Sequence, residues 1–133
     1  MLHNLQFHHI GYAVKDILTT AGYYTGAGWQ LSEIYCDKIQ NTQIAFLSKN
    51  AFPLIELVAP VDENSPIVKT LDKMGITPYH ICYETDNIKQ SVTALKEQHF
   101  LLLFKPVEAI AFGNRKICYL YHQHVGLIEL LSK

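Results

Sequence analysis

The sequence predicts an α+β protein built of two βαβββ modules in tandem. The first observation is an internal repeat, in which the segment 9–17 returns, with substitutions, as the segment 80–88. The second is that the segment 54–58 returns as 127–131 at nearly the same spacing. The third is that the same order of strand and helix patterns follows each copy of the histidine segment. A unit of this size cannot cover its own sheet, so the two copies are expected to pair.

In the first module (residues 1–62), the segment 7–14 is rich in aromatic and β-branched residues and predicts a strand. Asp16 then begins a helix over about 16–27, which places Ile17, Ala21 and Tyr24 on one face. Three further strands are predicted over 29–36, 42–48 and 53–59, the last of them closed by Pro60.

A short helical linker (residues 63–75) is predicted to join the modules. Ser65 is the expected N-cap, Pro66 the first helical residue and Gly75 the stop. The second module (residues 76–133) repeats the order, with a strand at 79–85, a helix at about 87–99 capped by Asp86, and strands at 100–104, 116–121 and 126–131. The stretch 105–114 is expected to be its longest irregular loop, and such loops are often functional. The chain 1–133 is thus read as one domain.

Composition excludes several classes of function. The 133 residues are 49% hydrophobic and carry a net charge of −1, with no long run of one sign. We therefore expect no nucleic-acid partner and no membrane association. The odd number of cysteines and the absence of a signal-like start indicate reduced thiols and a cytoplasmic location. Arg115, the only arginine in the chain, is a candidate for anion binding.

The repeated residues offer two imidazoles and two carboxylates. Glu56 and Glu129 each lie inside an otherwise apolar strand, where a carboxylate is costly unless it is paired or bound to a cation. Strand alternation separates His9 and His80 from their apolar neighbours. Each residue alone is more simply a core histidine or an edge glutamate, but four in matched positions predict a metal site. Such a set suits one divalent ion: zinc, nickel, cobalt, manganese or iron(II).

A rival source of ligands is the pair His122 and His124, which lies between two predicted strands. A solvated turn is the simpler interpretation of that pair, because polar residues are expected there.

These residues resemble the vicinal oxygen chelate superfamily (glyoxalase, bleomycin resistance and dioxygenase proteins), and most closely its methylmalonyl-CoA epimerase and glyoxalase I-like branch. The resemblance covers nearly the whole chain. It rests on the segments 9–14, 55–57, 62–67, 79–81, 113–115 and 128–130.

The resemblance implies an open eight-stranded cup that holds one divalent ion on His9, Glu56, His80 and Glu129. It implies a metal-dependent isomerase or lyase that stabilises an enediolate-like charge next to the carbonyl of a small acid, thioester or thiohemiacetal. The expected activity is methylmalonyl-CoA epimerase-like or lactoylglutathione lyase-like, with Glu129 as the catalytic base. The expected partners are a small-molecule substrate and a second copy of the chain, because related proteins are commonly dimers.

One predicted site residue departs from the epimerase pattern. Our alignment places Gln43 where those epimerases have a catalytic glutamate on the third strand. An amide cannot take a proton at neutral pH, which argues against two-base epimerisation by that arrangement. Glu84, which by alternation shares a face with His80, is another candidate base, although a solvated strand end is its simpler interpretation.

The candidate substrate-binding residues are drawn from the loop 105–114, the residue after it and the third strand. Arg115 can pair with a carboxylate or phosphate, or can be an ordinary surface arginine. The remaining candidates are Asn114, Phe112 and Phe46, although an ordinary core position is the simpler interpretation of the aromatic ones.

Two other functions stay open at the level of sequence. A non-catalytic binding or resistance protein would keep the fold, but such relatives usually lack the full ligand set. An extradiol dioxygenase would use two histidines and one glutamate with iron(II), and the additional Glu56 counts against it.

Overall fold

The computed structural model describes residues 4–133, and within them the chain forms ten β-strands and three α-helices. The strands of the first half are β1 (Gln6–Ala13), β2 (Gln30–Leu31), β3 (Tyr35–Asp37), β4 (Thr42–Ser48) and β5 (Leu54–Pro60). Those of the second half are β6 (Thr77–Thr85), β7 (Leu101–Leu102), β8 (Val107–Ala109), β9 (Arg115–His122) and β10 (Gly126–Ser132). The helices are α1 (Ile17–Thr25), α2 (Ile67–Met74) and α3 (Ile88–Lys96). The predicted α+β class and the tandem βαβββ order are confirmed.

The chain divides into two compact units. The N-terminal unit is His9–Tyr79, and the C-terminal unit is His80–Lys133 together with residues 4–8. In each unit a strand and a helix are followed by four strands, because the place of the second predicted strand is taken by two short ones. The division places the linker helix α2 in the N-terminal unit.

The N-terminal unit is a mixed sheet covered on one face by α1. Its strands lie in the order β2-β4-β5-β1, with β3 also paired to β4. The β1–β5 pair is parallel and the β4–β5 pair is antiparallel. The face under α1 buries a cluster of aliphatic residues: Val14, Ile17, Ala21, Ala45, Leu47, Leu57 and Ala59. On the opposite face, Ile67 of α2 packs against Ala13 and Val58.

The C-terminal unit has the same plan. Its strands lie in the order β6-β10-β9-β7, with β8 also paired to β9. The β6–β10 pair is parallel and the β9–β10 pair is antiparallel. The face under α3 buries Val92, Leu95, Phe100, Cys118, Leu120, Ile128 and Leu130. The opposite face carries a smaller cluster of Cys82, Ala109, Ile117 and Leu131.

The strand count differs from the expected eight because the second strand of each module is interrupted. In the N-terminal unit the break follows Leu31, where the Ser32 hydroxyl accepts a hydrogen bond from the backbone N–H of Phe46. In the C-terminal unit it includes Pro106, which has no N–H to donate to a ladder. The stretch 105–114 is therefore more regular than predicted, since it contains β8 and a 3-10 turn, Ile110–Phe112.

The helix caps agree only in part with the sequence. Asp16 caps α1 as predicted, its carboxylate accepting from the backbone N–H of Thr19 at 2.9 Å. The predicted cap of α3 was wrong by one residue, because the side chain that accepts from Gln90 N–H is that of Asn87. No helix of residues 4–133 is both long enough and apolar enough to cross a membrane.

The start of α2 also differs from the prediction. Its N-cap is Pro66, and no side-chain hydrogen bond caps it, so the predicted role of Ser65 was wrong. Its end is as predicted: Gly75 adopts a φ of 73°, a conformation that glycine tolerates without strain.

Candidate metal centre

In the N-terminal unit, His9 and Glu56 lie on adjacent parallel strands. The register places Gly11 of β1 opposite Glu56 of β5, so both side chains project from the face that α1 does not cover. His9 is 0% exposed and Glu56 is 1% exposed. The Nε2 atom of His9 lies 3.4 Å from Oε1 of Glu56. The unit therefore holds one buried imidazole–carboxylate pair.

In the C-terminal unit, His80 and Glu129 form the equivalent pair. Cys82 of β6 lies opposite Glu129 of β10, so the glutamate again faces the residue two positions after the histidine. His80 is 3% exposed, Glu129 is 1% exposed, and Nε2 of the one lies 3.5 Å from Oε1 of the other. The repeat seen in the sequence is thus a repeat of strand register and of side-chain geometry.

An aromatic residue supports each pair from the neighbouring antiparallel strand. Phe46 of β4 lies opposite Glu56, and its ring meets that of His9 edge-on at a centroid distance of 6.1 Å. Tyr119 of β9 lies opposite Glu129 and meets the ring of His80 edge-on at 5.2 Å. Such packing restricts the imidazoles to orientations in which Nε2 points toward the glutamate.

The donor set of each pair fits a divalent ion. Two ligand atoms at about 2.1 Å from one ion are separated by about 3 to 3.5 Å in octahedral or tetrahedral geometry. The observed 3.4 Å and 3.5 Å fall in this range and are longer than a good hydrogen bond. A buried carboxylate costs several kcal/mol unless positive charge is near, and a cation supplies that charge.

Arg115 and Glu84, both singled out in the sequence, are partners. An Nη2 hydrogen of Arg115 bonds the carboxylate of Glu84, and Nε donates to the carbonyl oxygen of Ser132 at 2.6 Å. Glu84 lies on the same face of β6 as His80 by alternation. Arg115 is therefore anchored beside the face that carries the C-terminal pair. Glu84 is more than a solvated strand end, and its carboxylate already accepts a hydrogen bond from Arg115, which opposes a role as a base.

The other substrate-binding candidates differ in setting. Phe46 lies beside His9, as described. Phe112 ends the 3-10 turn and packs edge-on against the ring of His8 at 5.7 Å. Asn114 is exposed, with a φ of 65°, and its backbone N–H bonds the carbonyl of Ala109. Their contact with substrate stays a prediction.

The structure places Gln43 on the wrong face for the predicted catalytic position. On β4, Phe46 lies opposite Glu56, whereas Gln43 lies opposite Ala59 and is exposed. Alternation along the strand therefore turns Gln43 away from the face of the His9–Glu56 pair. The prediction that Gln43 occupies the place of a catalytic base is corrected. Of the β4 residues that pair with β5, those that do share the face of the pair are Thr42, Ile44 and Phe46, and none of them carries a carboxylate, so β4 supplies no base to this site.

Sequence reasoning missed one buried carboxylate. Asp37 is 2% exposed and lies opposite Thr42, on the same face as Glu56 but about 13 Å farther along the sheet. Its two oxygens accept from the backbone and side-chain amides of Gln40, both at 2.9 Å. This geometry closes the β3–β4 turn. Asp37 and Asn41 do give a turn signal in the sequence. Because both lie between predicted strands, where polar residues are usually exposed, the signal did not indicate that Asp37 is buried.

The rival pair His122 and His124 lies at the β9–β10 turn. The backbone N–H of His124 donates to Nδ1 of His122, and the two rings lie 5.7 Å apart. Nδ1 of His122 therefore already accepts a hydrogen bond within the turn, as the simpler interpretation of this pair as turn residues would have it.

Comparisons with known proteins agree with this geometry. The model of the Glyoxalase/Bleomycin resistance protein/Dioxygenase superfamily matches residues 8–119. The mitochondrial methylmalonyl-CoA epimerase of Homo sapiens is 30% identical over 129 residues, which are 94% of this chain and 72% of that protein.

Solved structures are similar over almost the whole chain. The methylmalonyl-CoA epimerase of Mycobacterium tuberculosis superposes with a TM-score of 0.84 at 26% identity, covering 96% of this chain and 87% of that one. A variant of the Streptomyces coelicolor epimerase in complex with 2-nitronate-propionyl-CoA gives 0.82 at 22% identity, over 96% and 94% of the two chains, and so supports the fold alone. The protein belongs to the glyoxalase, bleomycin resistance protein and dioxygenase superfamily, and its relatives include methylmalonyl-CoA epimerases.

Proposed function

We propose that this protein is a metal-dependent isomerase or lyase that moves a proton at a carbon next to a carbonyl, with a methylmalonyl-CoA epimerase-like reaction as the leading activity. The observation that carries the proposal is the buried histidine–glutamate pair that occurs in the same register in each unit. We propose that the two pairs together supply four ligands, His9, Glu56, His80 and Glu129, to one divalent ion.

A divalent ion bound there would act as a Lewis acid on a substrate carbonyl oxygen and so acidify the adjacent C–H. The protein's own groups have separate tasks. The carboxylate of Glu129 is the proposed acceptor of the substrate proton, since an ionised carboxylate can take one and an amide cannot. Phe46 and Tyr119 hold the two imidazoles and exclude water from the carboxylates. Gln43 has no part in this scheme.

The substrate class is proposed from the relatives. A methylmalonyl-CoA epimerase matches over 94% of the chain, and a CoA thioester analogue occupies a relative of the same fold. We therefore propose an acyl-CoA thioester with an acidic α-hydrogen as substrate. A thiohemiacetal, as in the lyase branch, is the second choice. The homodimer, the cytoplasmic location and the identity of the metal stay predictions.

Metal content is the first test. Protein stripped with a chelator and reloaded with cobalt, nickel or zinc is expected to hold about one ion per chain by elemental analysis. His9→Ala and Glu129→Ala should each lose most of it. His124→Ala and Glu108→Ala are matched controls, because both residues are exposed. Unchanged metal content in the first two variants would refute the ligand assignment.

Proton exchange is the second test. Methylmalonyl-CoA incubated with cobalt-loaded protein in D₂O should gain deuterium at the α-carbon, measured by mass spectrometry or proton NMR. Glu129→Gln should slow the exchange by a factor of about 100 or more per bound cobalt ion, the size of a general-base contribution. A protein that binds the thioester and rises in melting temperature without any exchange would instead be a binding protein of this fold.

A further inference from the structure

The Arg115–Glu84 ion pair has no counterpart in the other half of the molecule. In the repeat, Glu84 corresponds to Ala13 and Arg115 corresponds to Thr42. Ala13 is fully buried under Ile67 of helix α2. The equivalent place in the C-terminal unit instead carries two charged side chains that remain partly open, 34% exposed for Arg115 and 23% for Glu84. The two units thus differ at the same position in burial and in charge.

The guanidinium of Arg115 is only partly used. The side chain has five N–H donors in a planar fork. In the described part of the chain, Nε–H bonds the carbonyl of Ser132 and one Nη2 hydrogen bonds Glu84. The structure gives Nη1 no hydrogen-bond partner among residues 4–133. The backbone contact holds the fork in place independently of Glu84, so donors are left in a fixed position for a ligand.

The position of the pair relates it to the C-terminal histidine–glutamate pair. Glu84 of β6 lies opposite Leu131, which is two residues from Glu129 on β10. Two residues along a strand span about 7 Å and return to the same face. Glu84 and its partner Arg115 therefore lie toward the face that carries Glu129, about 7 Å along the sheet, which suits an acidic group a few bonds from a carbonyl held near Glu129. A phosphate many bonds away from the reacting carbon is a poorer match to this distance.

We propose that Arg115 is a carboxylate-binding subsite of the C-terminal unit, and that Glu84 is its internal counterion, which an acidic substrate must displace or share. This proposal rests on the proposed function, because it deepens the choice of substrate. Its consequence is a preference for acyl thioesters that carry a second carboxylate. Glu84 lowers the affinity for that carboxylate and so keeps the subsite from retaining any small anion.

The test is direct binding of methylmalonate to cobalt-loaded protein by titration calorimetry, with inorganic phosphate and the uncharged diamide of methylmalonic acid as companion probes. Arg115→Gln should weaken methylmalonate binding by a factor of about 10 or more, since hydrogen bonds to charged groups contribute that much. Glu84→Gln should strengthen it about two- to fivefold, the size of a partly exposed ion pair. Diamide binding should change in neither variant.

Matched controls lie on the face of β9 opposite Arg115 and on the neighbouring strand β8. Lys116→Gln and Glu108→Gln make the same changes of charge at exposed positions that pair across β8 and β9. Both should leave methylmalonate binding unchanged. Arg115→Lys should recover only part of the lost affinity, because an ammonium lacks the planar fork.

Three outcomes would overturn the proposal. The first is an equal loss of methylmalonate affinity in Arg115→Gln and Lys116→Gln. The second is weaker methylmalonate binding in Glu84→Gln, and the third is tighter binding of phosphate than of methylmalonate. All of these variants keep the four proposed metal ligands, so metal content reports separately on the proposed function. Normal metal content and Arg115-dependent binding of methylmalonate, but no proton exchange, would refute the proposed enzymatic activity and support the carboxylate subsite.

Discussion

Glu129→Gln is the most informative single substitution, because its effect on stability should depend on bound metal. The amide keeps the shape of the side chain and removes its charge. Glu129 is 1% exposed, so its carboxylate is almost completely removed from water, and Oε1 lies 3.5 Å from Nε2 of His80. In metal-free protein the amide oxygen can keep the contact with Nε2 of His80. In metal-loaded protein the substitution removes an anionic ligand.

The magnitude follows from that burial. Removing one partner of a buried ionic interaction costs about 3–5 kcal/mol. The entropy of unfolding is about 2.1 cal/mol/K per residue, or about 0.28 kcal/mol/K for the 133 residues of this chain. The melting temperature of metal-loaded Glu129→Gln should therefore fall by about 10–18 °C relative to the metal-loaded native protein. The metal-free variant should melt at the same temperature as the metal-free native protein.

The assay is thermal unfolding followed by circular dichroism, with protein in EDTA and with protein in excess cobalt or nickel. Glu108→Gln is the control, because it makes the same chemical change at an exposed position. It should leave both melting temperatures within about 2 °C, as expected of a surface substitution. An equal fall in melting temperature with and without metal would refute the reasoning, since the carboxylate would then stabilise the fold by itself.

Three further predictions concern residues outside the proposed metal ligands. Burial, with a smaller contribution from the charge of Glu129, raises the pKa of Cys118 to about 12. At pH 8 a thiol reagent should therefore label the exposed Cys36 and leave Cys118 unmodified until the protein unfolds, as measured by peptide mass spectrometry. Rapid labelling of Cys118 in the native protein would contradict this prediction. Asp37→Ala should lower the free energy of unfolding by about 1–3 kcal/mol in urea titrations, because the carboxylate closes the β3–β4 turn. A loss below about 0.5 kcal/mol would show that contacts other than those of Asp37 stabilise the turn. Hydrogen bonds from the Thr19 hydroxyl and backbone N–H lower the pKa of Asp16. The contribution of Asp16 to the free energy of unfolding is therefore present above the ordinary carboxyl pKa and is lost as pH falls through the lowered pKa. Asp16→Asn should make unfolding less sensitive to acid, and an unchanged pH profile of unfolding would argue against this cap.

Local chemistry is the part of the fold that the sequence predicted best. The alternation around Glu56 and Glu129 identified two apolar strands that each carry one carboxylate, and both strands are present. The cap at Asp16 and the stop at Gly75 were also readable, because each depends on a few neighbouring residues. The cap of α3 was missed by one residue, since Asp86 and Asn87 are both good caps and only the path of the backbone chooses between them.

Strand interruptions were less readable. The predicted strand 29–36 breaks where a serine hydroxyl replaces a backbone acceptor, and this depends on the neighbour Phe46, fourteen residues away. The regular pairing of β8 with β9 depends likewise on a partner strand that local propensity does not reveal.

The sequence by itself determined the duplicated βαβββ plan, the superfamily and the two histidine–glutamate pairs, because a repeat preserves spacing and alternation that are properties of the chain alone. Only the tertiary structure decided what the unrepeated residues do. Strand register turned Gln43 to the opposite face from Glu56, and it joined Arg115 to Glu84 across 31 residues of sequence. The physical reason is that a shift of one residue in register exchanges the two faces of a strand, and register is set by contacts between distant segments.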